Sequence, residues 1–270
     1  IMHLLTHGFF KAGMFLGAGS VMHGMDDEVN MRKYGALRKF MPITFATFGL
    51  GYLAILGVPP FAGYYSKDMI IETAFDAGGV KGIILGSVTL LGAGITAFYM
   101  TRVMILTFTG TKRWDENAHP HESPWLMWLP MTVLAIGSVS SGFLLSRGDA
   151  LVNWLHPLFD HHEEYEKHLL EPIVVSGLAL TMVAIGIAIA FVKYSRQEVA
   201  SVAPEDVSVF TKIARQDLLQ DRFNETVFMR PGQVLTTTLV ATDETVIDGS
   251  VRAVGKIAMG SGSALRGLQN

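Results

Sequence analysis

Residues 172–192 have the sequence PIVVSGLALTMVAIGIAIAFV, a run without any Lys, Arg, Asp or Glu. Three further stretches, 43–66, 82–101 and 123–146, are equally free of charged side chains. An α-helix rises about 1.5 Å per residue, so about 20 residues cross the roughly 30 Å hydrocarbon core of a bilayer. Each stretch is long enough to span a membrane as a helix, and together they predict an all-α polytopic membrane protein.

The composition of the chain excludes several other classes of protein. Half of its 270 residues are hydrophobic and 17% are charged, against roughly 25% charged in soluble domains. The mean hydropathy of +0.36 excludes a disordered or collagen-like chain. There is no cysteine, which excludes disulfides, thiolate zinc sites and iron–sulfur ligation within this chain. The net charge of -3 argues against a nucleic-acid partner, which would favour a strongly basic surface.

We predict about six transmembrane segments. They are residues 2–25, 42–58, 69–77, 82–108, 125–145 and 172–192. Between the second and third segments the chain contains Pro59 and Pro60. Proline lacks an amide proton and blocks helix continuation, so this point is either a tight turn between two spans or a broken helix. If all six segments cross, the loops 24–41, 76–81 and 147–170 lie on one side of the membrane, and the acidic loop 147–170 favours a cytoplasmic tail.

The tail after the sixth segment has a different pattern. From Gly232 to Leu268 apolar residues recur at helical spacing within a mixed-charge segment, which predicts an amphipathic helix of about 55 Å. It is too polar to span a bilayer. We therefore divide the chain into a membrane bundle, residues 1–194, and a second region, 195–270, that holds a polar linker and this amphipathic helix.

Three ionisable residues in the first segment point to proton chemistry. His3, His7 and Lys11 are spaced four apart, so a helix presents them along one stripe about 12 Å long. A lysine at membrane depth costs from about 2.5 to over 10 kcal/mol, and it is kept only where it faces a bundle interior, water or a partner. We interpret the stripe as a proton relay. The alternative is that His3 and Lys11 extend to the membrane surface while His7 is a packing residue.

A second candidate site follows the two prolines. Lys67 and Asp68 come a few residues after the break, and broken transporter helices leave free backbone groups that bind ions near the midplane. Lys67 would then be a switchable proton site. Alternatively, Ser66 caps a new helix at the membrane surface, and the two charged residues are solvated.

No motif predicts a cofactor or metal within this chain. His119 and His121, and a further cluster of histidines, lie in polar loops beside acidic residues, and we expect them not to bind metal. The members of that cluster are His156, His161, His162 and His168. The glycine-rich stretches are neither preceded by a strand nor followed by a GK[ST] signature, so they permit helix packing instead of phosphate binding.

Two stretches of the chain resemble motifs of a known family. They are HLLTHGFFKA, residues 3–12, and PPFAGYYSKD, residues 59–68. Both are similar to the antiporter-like membrane subunits of respiratory complex I, the proton-translocating NADH:quinone oxidoreductase, and particularly to its L-type (chain 5) branch. The resemblance covers essentially the whole chain, with Gly8 as a minor departure. It implies that Lys11, His7 and His3 belong to a hydrophilic axis for protons and that Lys67 belongs to the exit pathway.

The resemblance also implies the setting of the chain. We expect a non-redox translocase subunit without autonomous catalysis, whose NADH, FMN, iron–sulfur clusters and quinone are bound by partner subunits. Its partners would be other membrane-arm subunits, especially the adjacent antiporter-like subunit, in a bacterial inner membrane. The L-type lateral helix would correspond to Gly232–Leu268. The family normally has a preceding repeat and a final span, so we expect this chain to be a fragment.

Two other functions remain open at this stage. The large subunit of a multi-subunit sodium/proton antiporter shares this helix architecture, although we expect it to continue into further hydrophobic spans where this chain has its amphipathic tail. A purely structural fragment with no proton pathway of its own is the third possibility.

Overall fold

The computed structural model describes residues 1–158, 169–195 and 199–269, and within these ranges all regular structure is helical. The chain forms two compact units, Ile1–Ala203 and Pro204–Asn270. An all-helical fold was predicted, and the described residues confirm it. The functional division proposed at residue 194 stays a prediction.

The described residues of the first unit contain seven α-helices. They are α1 (Met2–Gly24), α2 (Pro42–Leu56), α3 (Ala62–Asp76), α4 (Gly79–Met104), α5 (Trp125–Ser146), α6 (Ala150–Leu155) and α7 (Pro172–Ser195). A π-helical turn, Ile105–Thr109, extends α4, and short 3-10 turns lie at Met31–Lys33, Leu37–Lys39, Arg147–Asp149 and His156–Leu158.

Helices α2 and α3 together make one broken pass alongside α1. The hydroxyl of Thr44, at the start of α2, lies 2.7 Å from that of Ser20 near the end of α1. The hydroxyl of Ser66 in α3 lies 2.9 Å from that of Thr6 near the start of α1. The two helices therefore run in the same direction, antiparallel to α1. Gly57 ends α2 in a left-handed conformation with φ of 75°, which glycine adopts without steric cost.

This arrangement corrects the predicted loop sides. The loop 24–41 contacts the loop 110–124: the Arg113 Nε donates to the Arg32 carbonyl at 2.9 Å, and the His121 amide donates to the Gly24 carbonyl at 3.4 Å. The prediction that 24–41 shares a side with 76–81 was wrong. The prediction treated α2 and α3 as two separate crossings of the membrane. Because the two helices run in the same direction, they cross it together only once.

The described residues contain fewer candidate membrane spans than the six predicted. Three helical segments there are long and apolar enough to cross a bilayer, Gly79–Thr109, Trp125–Leu158 and Pro172–Ser195, and Pro42–Leu56 is a shorter apolar helix. The predicted third segment does not begin at Met69, because α3 already begins at Ala62. Its first turns therefore contain Lys67 and Asp68, whose charges lower the apolar character of that helix.

The core of the bundle lies between α1, α2 and α4. Phe10 and Phe48 are almost completely buried, as is Phe108 in the π-helical turn. The rings of Phe48 and Phe108 are 5.5 Å apart, a distance typical of favourable aromatic pairs. This packing holds α1 against α2 and the end of α4, and so determines where the polar stripe of α1 lies.

The second unit is built from four helices, α8 (Val209–Arg215), α9 (Gln220–Asn224), α10 (Arg230–Thr242) and α11 (Asp248–Leu268). The π-helical turns Glu225–Met229 and Asp243–Ile247 join the last three into continuous helix from Gln220 to Leu268. Pro231 follows the first of these turns; because it lacks an amide proton and its ring crowds the preceding turn, the helix widens there. The helical prediction for Gly232–Leu268 therefore covers part of a longer helical segment, whose lateral position stays a prediction.

Candidate functional site

The three ionisable residues of the first stripe lie together on α1. The imidazole rings of His3 and His7 are 5.6 Å apart, and the ring of His7 meets the edge of Phe10 at 5.2 Å. His3, His7 and Lys11 are all partly buried. Their spacing of four residues therefore places them on one face, as the sequence predicts, and Phe10 covers one side of that face.

Helix α3 brings a hydroxyl group to the start of this stripe. The His3 Nδ1 and the Ser66 Oγ are 2.9 Å apart, with the donor set by the tautomer of the imidazole. The Thr6 hydroxyl lies 2.9 Å from the same Oγ and donates to the His3 carbonyl at 3.2 Å. Both hydroxyl residues are buried. Sequence reasoning did not assign a role to Thr6, because the contact joins residues 60 positions apart.

The break between α2 and α3 provides the acceptor for Lys67. The Lys67 Nζ donates to the backbone carbonyl of Leu56 at 2.5 Å, and Leu56 is the last residue of α2. The last carbonyls of a helix have no partner within the helix, and the helix dipole makes that end negative. A lysine ammonium is therefore stabilised at this point because the helix is broken.

The surface-cap alternative for this segment is wrong. The residue that caps α3 is Phe61, whereas Ser66 lies in the second turn of the helix and is buried. Asp68 is only 8% exposed. Its carboxyl group interacts with the Ser176 hydroxyl of α7, and its Oδ2 has no hydrogen-bond partner within the described ranges. The charged pair is therefore part of the bundle interior.

One cavity connects the two candidate sites. It has a volume of about 310 Å³ and is lined by His3, His7 and Lys11 from α1 and by Lys67 from α3. Helix α4 contributes the polar side chains Thr89, Thr96 and Tyr99 to the lining. Apolar side chains such as Phe10, Ile55 and Ile71 complete the lining, so water would be held beside the ionisable and hydroxyl groups, because each molecule needs two to four polar partners. All four residues predicted from the sequence therefore face the same space.

A second polar cluster lies at the other end of α1. Glu122 accepts hydrogen bonds from the backbone amides of Ile43 at 2.7 Å and Thr44 at 3.2 Å, so its carboxylate caps the N-terminus of α2. The hydroxyl of Ser20 joins those of Thr44 and Ser123, each at 2.7 Å. Sequence reasoning missed Glu122, which is distant in sequence from the helix that it caps.

The loops at the C-terminal end of α1 are held together by hydrogen bonds to backbone carbonyls. The Arg113 guanidinium donates to the carbonyls of Met31, Arg32, Leu106 and Thr111, and its burial lowers the pKa of that side chain. The Tyr34 hydroxyl donates to the Glu28 carbonyl. Burial, and to a lesser extent the charge of Glu28, raises the pKa of Tyr34 to about 12.

The loop histidines form no metal-binding group in the part of the chain that the structure describes. No cluster of three or more His, Asp or Glu side chains with suitable geometry occurs there. The ring of His121 instead packs against that of His23 at 5.8 Å. His161, His162 and His168 lie outside the described residues.

The chain matches the model of a known protein family. Residues 1–93 match the family described as NADH:quinone oxidoreductase/Mrp antiporter, TM. This match covers α1, α2 and α3 and thus includes all four residues of the candidate relay. Residues 1–93 therefore match the transmembrane domain of this antiporter-like family.

The more similar relatives identify the branch. The chain is 56% identical over 269 residues to NADH-quinone oxidoreductase subunit L of Mycobacterium tuberculosis (strain ATCC 25618 / H37Rv), across 100% of this chain and 42% of the relative. It is 36% identical to NAD(P)H-quinone oxidoreductase chain 5 of a Picosynechococcus species, across 100% of this chain and 45% of the relative. It is also 45% identical to subunit L of Rhodobacter capsulatus over 172 residues, which are 59% of this chain and 22% of the relative.

The chain belongs to this antiporter-like family, and along its whole length it resembles the L-type subunits of NADH:quinone oxidoreductase. This confirms the family predicted from the two motifs. The chain spans less than half the length of these curated relatives.

Proposed function

We propose that this chain is the proton-translocating part of an L-type membrane subunit of an NADH:quinone oxidoreductase. Protons would move through Lys11, His7, His3 and Lys67. The observation that supports this proposal is the single cavity that these four side chains line. Two lysines, two histidines and several hydroxyl groups around one cavity are the groups that a water-assisted proton path requires.

Each step of the proposed path uses a group that can both accept and release a proton. A neutral imidazole has one protonated and one free nitrogen, so His7 and His3 can pass a proton along the stripe. Hydroxyl groups also donate and accept, and the Ser66 Oγ, 2.9 Å from His3, extends the path to α3. The Lys67 ammonium is held by the Leu56 carbonyl. After it loses its proton that attraction weakens, which makes Lys67 a switchable end point.

The redox chemistry would take place elsewhere in the complex. NADH, FMN, iron–sulfur clusters and quinone would be bound by partner subunits, and this chain would act as a translocase without autonomous catalysis. Coupling would be indirect, through changes in the electric field or hydration around the two lysines. The adjacent antiporter-like subunit of a bacterial inner membrane would be the main partner. The helix from Gln220 to Leu268 would lie laterally along the membrane arm.

A sodium/proton antiporter subunit is the competing function, because the matched family includes Mrp antiporters. The names of the similar relatives favour the quinone oxidoreductase. The two functions differ in their energy source: the first depends on NADH oxidation, whereas the second exchanges sodium for protons down an existing gradient.

The experiment that tests the proposal uses inverted membrane vesicles that contain the intact complex with its full-length subunit. Lys11→Ala removes the ionisable group, and Lys11→Arg keeps a positive charge that does not release its proton near neutral pH. Lys81→Ala is the matched control, because Lys81 is an exposed lysine at the start of α4. The measurements are NADH-driven acidification, NADH:quinone turnover and the amount of assembled complex.

The proposal predicts that Lys11→Ala and Lys11→Arg both lose most proton pumping in assembled complex, while Lys81→Ala pumps normally. Normal pumping by Lys11→Arg would contradict the relay, because a fixed charge would then be sufficient. Normal NADH-driven pumping in both variants, with loss of sodium-dependent proton exchange, would favour the antiporter.

A further inference from the structure

An apolar groove runs along the contact between α4 and α7. The two helices are parallel and touch at their glycines: a Cβ on Gly186 would lie 2.3 Å from the Gly94 carbonyl oxygen. The missing side chains at this point give the groove its depth, and its volume is about 340 Å³. Large apolar side chains form its walls, namely Leu91, Ile95, Phe98, Met182, Ile185 and Ile189. Ile95 and Ile189 are both more than half exposed.

Two positive charges lie at one end of this groove. The Arg102 guanidinium carbon is 5.4 Å from the ring centre of Tyr194, and the Lys193 Nζ is 5.7 Å from the same centre. The sequences of α4 and α7 contain no Asp or Glu. Within the described ranges the Arg102 Nε is buried and has no hydrogen-bond partner. Because neither helix supplies a carboxylate, the positive charges of Arg102 and Lys193 make this end of the groove complementary to an anion.

The groove and the charged end beyond it together match one leaflet of a bilayer in depth. From Leu91 to Arg102 the helix rises about 16.5 Å, which is close to half of the roughly 30 Å hydrocarbon core. The apolar walls, which run from Leu91 to Phe98 on α4, rise about 10.5 Å and cover part of an acyl chain, and the cations lie where the headgroup of the same molecule would be. Tyr194 lies beside them, in the interfacial position that tyrosine favours.

We propose that the groove between α4 and α7 binds an anionic phospholipid. One acyl chain lies along Ile95 and Ile189, and the phosphate pairs with Arg102 and Lys193. A small anion would leave the apolar walls uncovered, and an apolar helix from another protein would leave both cations without a counter-charge. An anionic lipid satisfies the two features together. This site is separate from the cavity of the proposed proton relay.

The test measures lipid binding to the intact membrane protein after purification in detergent and removal of native lipid. Native mass spectrometry resolves single lipid additions during titration with phosphatidylglycerol, or with phosphatidylcholine of the same acyl chains. Four variants are compared: Arg102→Gln, Lys193→Gln, Arg102→Lys, which keeps the charge, and Ile95→Trp, which fills the groove. Lys81→Gln is the control, because Lys81 lies at the opposite end of α4.

The wild type is expected to bind one phosphatidylglycerol more tightly than any phosphatidylcholine. Each loss of charge weakens that binding about fivefold, as expected for one basic side chain near an anionic lipid surface. Arg102→Lys and Lys81→Gln keep the affinity, and Ile95→Trp weakens it. If Arg102→Gln prevents folding, Lys193→Gln decides the question, because Lys193 is exposed.

Three results would overturn the proposal. Equal affinity of the wild type for both lipids would show that the charges do not select the headgroup. Unchanged affinity in Lys193→Gln together with Arg102→Gln would show that phosphate is bound elsewhere. If inorganic phosphate competes with phosphatidylglycerol for the site, and Ile95→Trp leaves the lipid affinity unchanged, the ligand is a small anion.

Discussion

Replacement of Ser66 by alanine tests whether α3 forms part of the proton path. The Ser66 hydroxyl lies 2.9 Å from both the His3 Nδ1 and the Thr6 hydroxyl, and Ser66→Ala removes both hydrogen bonds. A net hydrogen bond contributes about 1 kcal/mol, so the variant is expected to lose about 2 kcal/mol of stability. Loss of the bond that orients His3, at about 1 kcal/mol, corresponds to roughly fivefold slower coupled proton transfer.

The control for this variant is Thr6→Val, which removes a hydroxyl of the same cluster while it keeps the shape of the side chain. It leaves the contact between His3 and Ser66 in place, so proton pumping is expected to fall less than in Ser66→Ala. The assay is NADH-driven proton uptake by inverted vesicles, normalised to assembled complex, beside thermal unfolding of the purified protein. Wild-type pumping in well-assembled Ser66→Ala would refute the reasoning. If proton pumping fell equally in both variants, the hydroxyl groups would act only through the stability of the protein.

Three further predictions concern the scaffold. Glu122→Gln removes the charge that caps α2 and is expected to cost about 1 kcal/mol of stability in denaturant unfolding; no change would show that the cap is solvated. The pKa of Tyr34 is raised from 10.0 to about 12, so the folded state holds this proton more tightly. The stabilising contribution of Tyr34 is therefore present below about pH 10 and is lost as the pH rises through about 12, and Tyr34→Phe should flatten that decline in unfolding midpoint. Gly186→Leu is expected to lower the free energy of unfolding by at least about 1–3 kcal/mol, because the larger side chain separates α4 from α7. Gly177→Leu is the control and should have little effect, because Gly177 has open space around it. Similar losses of stability in both variants would contradict the close helix contact.

The local pattern of the sequence predicts several features of this protein correctly. The helical fold follows from long uncharged runs, because a helix in a membrane needs about 20 apolar residues and satisfies its own backbone. The stripe of His3, His7 and Lys11 follows from the helical period of 3.6 residues. The two motifs indicate the family. All of these are properties of residues that are close together in the chain.

Tertiary structure alone decides how these segments meet. The sequence leaves the Pro59 and Pro60 break as either a turn or an interruption. Only the contacts of α2 and α3 with α1 show a single broken pass, because helix direction depends on packing partners far away in the chain. The same packing places Lys67 at the Leu56 carbonyl and Ser66 beside His3. A residue's spacing determines the face on which it lies, whereas the shape of the neighbouring helices determines what that face meets.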